Sequence, residues 1–86
     1  MRPNAYLQFS RLIKVDGRYR EFNFLRKKSG EKIFFNVDVS DERGNRYYFD
    51  LLEFDSKWNI AGHPVPEWIV TAETEIQSAV VDKVVS

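Results

Sequence analysis

The sequence predicts an α+β fold, an antiparallel β-meander of four to five strands with one C-terminal helix packed on the sheet. Three observations lead there. Apolar residues alternate with polar ones through much of residues 7–54, and turn residues break that alternation at regular intervals. Beyond Pro66 the apolar spacing changes from two to three and four, which is the period of a helix. The 86 residues include seven Phe, four Tyr and two Trp, enough large side chains for one core and one domain spanning residues 1–86.

The first two strands follow from Asp16-Gly17, a dipeptide that adopts the positive φ angles of a two-residue hairpin turn. With those two residues at the turn, Val15 faces Arg18, Phe9 faces Phe24 and Leu7 faces Arg26. That register gathers Leu7, Phe9, Ile13, Val15, Phe22 and Phe24 on one face. The opposite face then shows Gln8, Ser10, Lys14, Tyr19, Glu21 and Asn23, with Leu12 and Leu25 the apolar exceptions. A helix from Asn4 to Lys14, capped by Asn4 and ended by Gly17, is the competing reading. The alternating segment after Asp-Gly favours the hairpin.

Lys28-Ser29-Gly30-Glu31 forms the second turn, and Ile33, Phe35, Val37 and Val39 alternate beyond it as a third strand. Ser40 to Asn45 connects to a fourth strand, where Tyr47, Phe49 and Leu51 lie on one face and Tyr48, Leu52 and Phe54 on the other. Asp55-Ser56-Lys57 reads as a turn into a short fifth strand, Trp58 to Ala61. In His63-Pro64-Val65-Pro66, Val65 is held extended by the proline after it. Pro66 suits the first turn of the helix. Glu67, Glu73 and Glu75 near the start and Lys83 near the end complement the helix dipole. Trp68 or Ile69, Ala72, Ile76, Ala79 or Val80, and Lys83 or Val84 fall at the three and four spacing of one stripe.

Several chemistries have no residues to carry them. With no cysteine there is no disulfide framework, thiolate nucleophile or Cys-based zinc site. No apolar run approaches the length of a membrane span, and residues 1–9 lack the apolar core of a secretion signal, so a cytoplasmic protein is expected. His63, the single histidine, has no Gly-x-Ser-x-Gly or second histidine beside it, and reads as a loop imidazole. An enzyme would need His63 to meet Glu67 or Asp55 in a cleft. Asp38, Asp41, Glu42, Asn45 and Asp50 gather near one turn without EF-hand spacing, and read as turn hydrogen-bonding groups. No catalytic residue, cofactor or metal is therefore expected.

Charge is balanced overall and uneven along the chain. Residues 1–32 carry nine basic and three acidic groups, and the remainder four basic and ten acidic. The two halves either pair with one another in the fold or leave a dipolar surface. Arg11, Lys14, Arg18, Arg20, Arg26, Lys27, Lys28 and Lys32 form a candidate nucleic-acid surface, with Tyr19, Phe34 or Tyr48 available for base stacking. The zero net charge weighs against it. Tyr19, Phe34, Tyr48 and Phe54 form a candidate partner surface on the sheet face opposite the main core, unless the sheet curls to shelter them, which is the favoured reading.

Ile13-Lys14-Val15 with Asp16-Gly17-Arg18, Arg20 to Phe24, Val37-Asp38-Val39, Asp41 to Arg46, Trp58-Asn59-Ile60 and Pro66 to Ile69 resemble a family of small uncharacterised bacterial proteins. The likeness covers most of the chain from about residue 11. It implies the meander-plus-helix architecture and supplies no activity, cofactor or catalytic residue. The functional expectation is a small non-enzymatic module that binds a protein partner or a second copy of itself, with weak nucleic-acid binding through the basic hairpin as the alternative.

Overall fold

The computed structural model describes residues 7–62 and 64–85. Five antiparallel strands, β1 (Gln8–Val15), β2 (Arg18–Ser29), β3 (Lys32–Ser40), β4 (Arg46–Phe54) and β5 (Lys57–Ala61), lie in sequence order in one sheet. Two helical segments follow, α1 (Glu67–Val70) and α2 (Glu73–Val85). The fold is the expected meander with C-terminal helical cover. The first hairpin has the expected register, with Phe9 opposite Phe24 and Val15 opposite Arg18. Asp16 and Gly17 both take positive φ, 53° and 79°, as a turn matched to strand twist requires. The competing helix over residues 4–14 is excluded for its described part, since residues 8–15 are strand.

The middle of one sheet face is dry. Phe22, Phe24, Phe35, Val37, Val39, Phe49 and Leu51 are completely buried there, and Ile69, Ile76, Ala79 and Val80 come down on them from the helical side. Aromatic rings run across this face from edge to edge. Phe9 stacks on Phe24 at 4.5 Å between centroids, Phe9 meets Phe35 edge-on, and Phe35 meets Trp58 of β5 edge-on at 5.3 Å.

The sheet is bent round this core, and α2 holds the bend. It touches both edge strands, β5 and β1. On the β5 side, Glu73 accepts a hydrogen bond from the Ile60 N–H at 3.2 Å, and Gln77 donates to the Trp58 carbonyl at 2.6 Å. These two residues, one helical turn apart, occupy backbone groups of β5 that no sixth strand among the described residues pairs. On the β1 side, Asp82 pairs with Arg11 at 3.4 Å and the Lys83 ammonium lies over the Phe9 ring. With both edges tied to one helix, the core face is concave and the sheet is a half-barrel.

The helix departs from expectation in being two pieces. Of the expected stripe, Ile69, Ala72, Ile76, Ala79 and Val80 are buried, Trp68 is half-buried and Lys83 is exposed, and residues 71 and 72 form a turn between α1 and α2. The Thr71 hydroxyl donates to the Trp68 carbonyl at 2.9 Å, and the Ala72 N–H bonds the Ile69 carbonyl three residues back. This tightening interrupts the helix between the two segments.

Candidate interaction surface

Bending toward α2 makes the other sheet face convex, and that decides the fate of the aromatic residues of opposite parity. Tyr19 is 68% exposed, Tyr48 52% and Phe54 75%, with Leu12 and Leu52 also exposed and Phe34 half-buried. The expectation that curling shelters them is corrected. The sheet does curl, but its concave side faces the helix, so curvature spreads these residues apart in solvent.

Polar cross-strand pairs hold the middle of the convex face. Ser10 donates to Asn23 at 2.6 Å, and Asn23 donates to Asp38 at 3.0 Å. Asp38 also pairs with Arg46, and one row further along Asn36 donates to Asp50 at 3.2 Å. These ladders connect β1 to β4. They separate two apolar ends. At one end Lys14 lies opposite Tyr19, its ammonium 5.8 Å from the ring centroid. At the other, Phe34 lies opposite Leu52, and Phe54 opposite Lys57.

The candidate nucleic-acid residues are divided between the two faces. Lys14, Lys27 and Lys32 have the outer parity, whereas Arg11, Arg18, Arg20, Arg26 and Lys28 share the parity of the core. Three of the arginines engage acids of the second half of the chain: Arg11 pairs with Asp82, and Arg18 and Arg20 pair with Glu42 at 3.6 and 2.8 Å. The two oppositely charged halves therefore meet at these contacts. Arg20 is the most enclosed, with 12% of its side chain exposed, and its guanidinium lies 4.7 Å from the centre of the Trp68 ring. Trp68 in turn meets Tyr47 edge-on. The Arg20 Nε has no hydrogen-bond partner, so the ring face and Glu42 are what hold this cation.

Asp41 organises the β3–β4 connection. Its carboxylate accepts the backbone N–H groups of Arg43 and Asn45, each at 2.9 Å, the Asn45 side-chain amide at 3.0 Å and the Tyr47 hydroxyl at 3.3 Å. The Asn45 side chain and these further donors hold the Asp41 carboxyl below its ordinary range. Arg20, by hydrogen bond, lowers Glu42 likewise, with Arg18 adding to it. Burial, and then the charge of Asp41, pushes the Tyr47 phenol up. The turn reading holds for Asp41 and Asn45, whereas Asp38 and Asp50 lie in strands and bond across the sheet, and Glu42 accepts from Arg20. Among the described residues no group of three or more His, Cys, Asp or Glu side chains is arranged to hold a metal. No helix among them is long and apolar enough to cross a membrane. His63 lies outside the described residues.

Alternation placed Leu12 and Leu52 on the outer face, although neither was counted in the candidate partner surface. Lys57, read as the end of the Asp55-Ser56-Lys57 turn, is instead the first residue of β5, because Asp55 and Ser56 alone make the turn at positive φ.

Fold and surface together define a class: a helix-backed α+β half-barrel with an uncovered, aromatic-bearing convex face. No family model matches the chain, and neither the curated proteins nor the solved structures contain a match to it.

Proposed function

We propose that the protein is a non-enzymatic binding module and that the convex sheet face is its docking surface. The observation that carries this is the exposure of Leu12, Tyr19, Tyr48, Leu52 and Phe54 on a face that no described element covers. Large apolar side chains kept in water add nothing to the core, and their natural use is burial against a partner. A protein ligand is favoured over a nucleic acid because Arg11, Arg18 and Arg20 already pair with acids, leaving fewer cations for phosphates. The reading places the protein in the cytoplasm.

Photo-reactive residues tested one at a time in living cells check this reading. Positions 48 and 54 on the convex face should yield discrete cross-linked adducts, and positions 70 and 74 on the helical side should not. Equal adducts from both sides, or none from the convex face, would overturn it.

A further inference from the structure

We propose that the open edge of β1 pairs with β1 of a second copy, antiparallel about a two-fold axis at Leu12, to form a weak dimer. The two edges of the sheet are not alike. On β5 the Ile60 N–H and the Trp58 carbonyl point away from β4, and Glu73 and Gln77 of α2 occupy them. On β1 the two-residue turn at Asp16-Gly17 and the bond from the Arg26 N–H to the Leu7 carbonyl fix the phase of pairing. Odd-numbered residues turn their backbone groups toward β2, and even-numbered ones turn theirs outward. Among the described residues nothing bonds the outward groups of Ser10, Leu12 and Lys14. α2 reaches β1 through side chains, Asp82 to Arg11 and Lys83 to Phe9, and a groove of about 260 Å³ lies between residues 11–14 and Glu75 and Ser78.

A row of outward N–H and carbonyl groups is completed by another extended backbone, and the side chains of β1 suit its own copy. With Leu12 on the axis, Leu12 meets the partner's Leu12 and Ser10 meets the partner's Lys14 on the convex side. On the concave side Phe9 meets the partner's Val15, and Arg11 meets the partner's Ile13. No like charges stand opposite one another, and Leu12, 63% exposed in the single chain, is covered. Moving the axis to Arg11 sets that cation against the partner's Arg11. Moving it to Ile13 runs β1 past the Asp16-Gly17 turn and shortens the ladder. Because Glu73 and Gln77 block the β5 edge, association closes at two copies and builds no fibre. One strand edge covers less than the roughly 800 Å² per partner of a stable interface, which sets the dissociation constant at roughly 0.1 to 1 mM.

The test is NMR of the full chain at concentrations from about 10 μM to 2 mM, a range that brackets this affinity. Translational diffusion should slow toward the value of a dimer, with saturable amide shifts concentrated in β1. In a mixture of isotope-labelled and unlabelled protein, filtered Overhauser spectra should connect the Arg11 Hα of one copy to the Ile13 Hα of the other. Within one strand those protons are too far apart to do so. Leu12→Lys, which sets like charges on the axis, should weaken association at least about tenfold while the spectrum stays dispersed. Leu52→Lys, on the convex face away from β1, should leave association unchanged. Diffusion independent of concentration, association that survives Leu12→Lys, or intermolecular contacts that join other elements and bypass β1 would each overturn the proposal. The convex-face docking reading is untouched by any of these results, since its cross-linking test does not involve the β1 edge.

Discussion

The two faces of one sheet use the same residue types to opposite ends. On the concave face, Phe22, Phe24, Phe35 and Phe49 are wholly buried and interlock with α2. On the convex face, Tyr19, Tyr48 and Phe54 stand in solvent. Parity separates a mostly apolar face from a mixed one, but it does not say toward which side the sheet bends. The difference comes from α2, which ties β1 and β5 together and thereby chooses the side toward which the sheet bends. Stability is concentrated on one face, and the other is free to serve recognition.

The sharpest way to break that contrast is to make the same truncation on each face. Phe24→Ala should cost about 3 to 5 kcal/mol in denaturant unfolding, through lost burial and an unfilled cavity. Phe54→Ala should stay within about 0.5 kcal/mol. A comparable loss at both positions would mean that the convex face is also part of the packed core.

A smaller contrast separates two neighbouring arginines. Arg20→Ala should cost about 2 kcal/mol, because it removes a guanidinium enclosed against Trp68 and leaves Glu42 without its closer partner. Arg18→Ala, at a side chain 63% exposed, should cost no more than about 0.5 kcal/mol. Urea midpoints of the two variants check this.

At the edge of the sheet, Gln77→Ala should cost about 1 kcal/mol by leaving the Trp58 carbonyl without its helix donor. In the β4–β5 turn, Ser56 sits at a φ of 66°, so Ser56→Gly should raise stability by about 1 kcal/mol. Thermal unfolding of the two variants should shift in opposite directions.

The smallest effect concerns acid. Asp41 and Glu42 have folded-state pKa values below their unfolded ones, so the unfolded chain binds more protons as pH falls. Their contribution is present above the ordinary carboxylate range of about 4 and is lost as pH drops through the folded-state values. Glu42→Gln should flatten the acid limb of the stability curve without changing its slope near neutrality.

Local chemistry made the register legible. Asp16-Gly17 fixed the first hairpin, and parity then assigned every residue of β1 and β2 to a face. The direction of bending was not legible, because parity says which residues share a face and not which face becomes concave. That depends on Glu73, Gln77 and Asp82 reaching two edge strands, a contact between distant parts of the chain. The pairing of Arg20 with Trp68 was hidden for the same reason. The break at Thr71 depended on a hydroxyl bonding back to the Trp68 carbonyl, which the apolar stripe through Ile69, Ala72 and Ile76 gave no sign of. Within the candidate surface, Tyr19, Phe34, Tyr48 and Phe54 were readable from alternation. The division of the basic residues between two faces followed from the same register, but their acidic partners did not.

Solvent paramagnetic relaxation on the isolated, dilute chain tests the contrast between the faces most directly. A soluble gadolinium agent should strongly broaden the ring signals of Tyr19, Tyr48 and Phe54 and leave those of Phe22, Phe24, Phe35 and Phe49 sharp. Outer rings protected as well as the inner ones would contradict an open convex face and remove the docking surface with it.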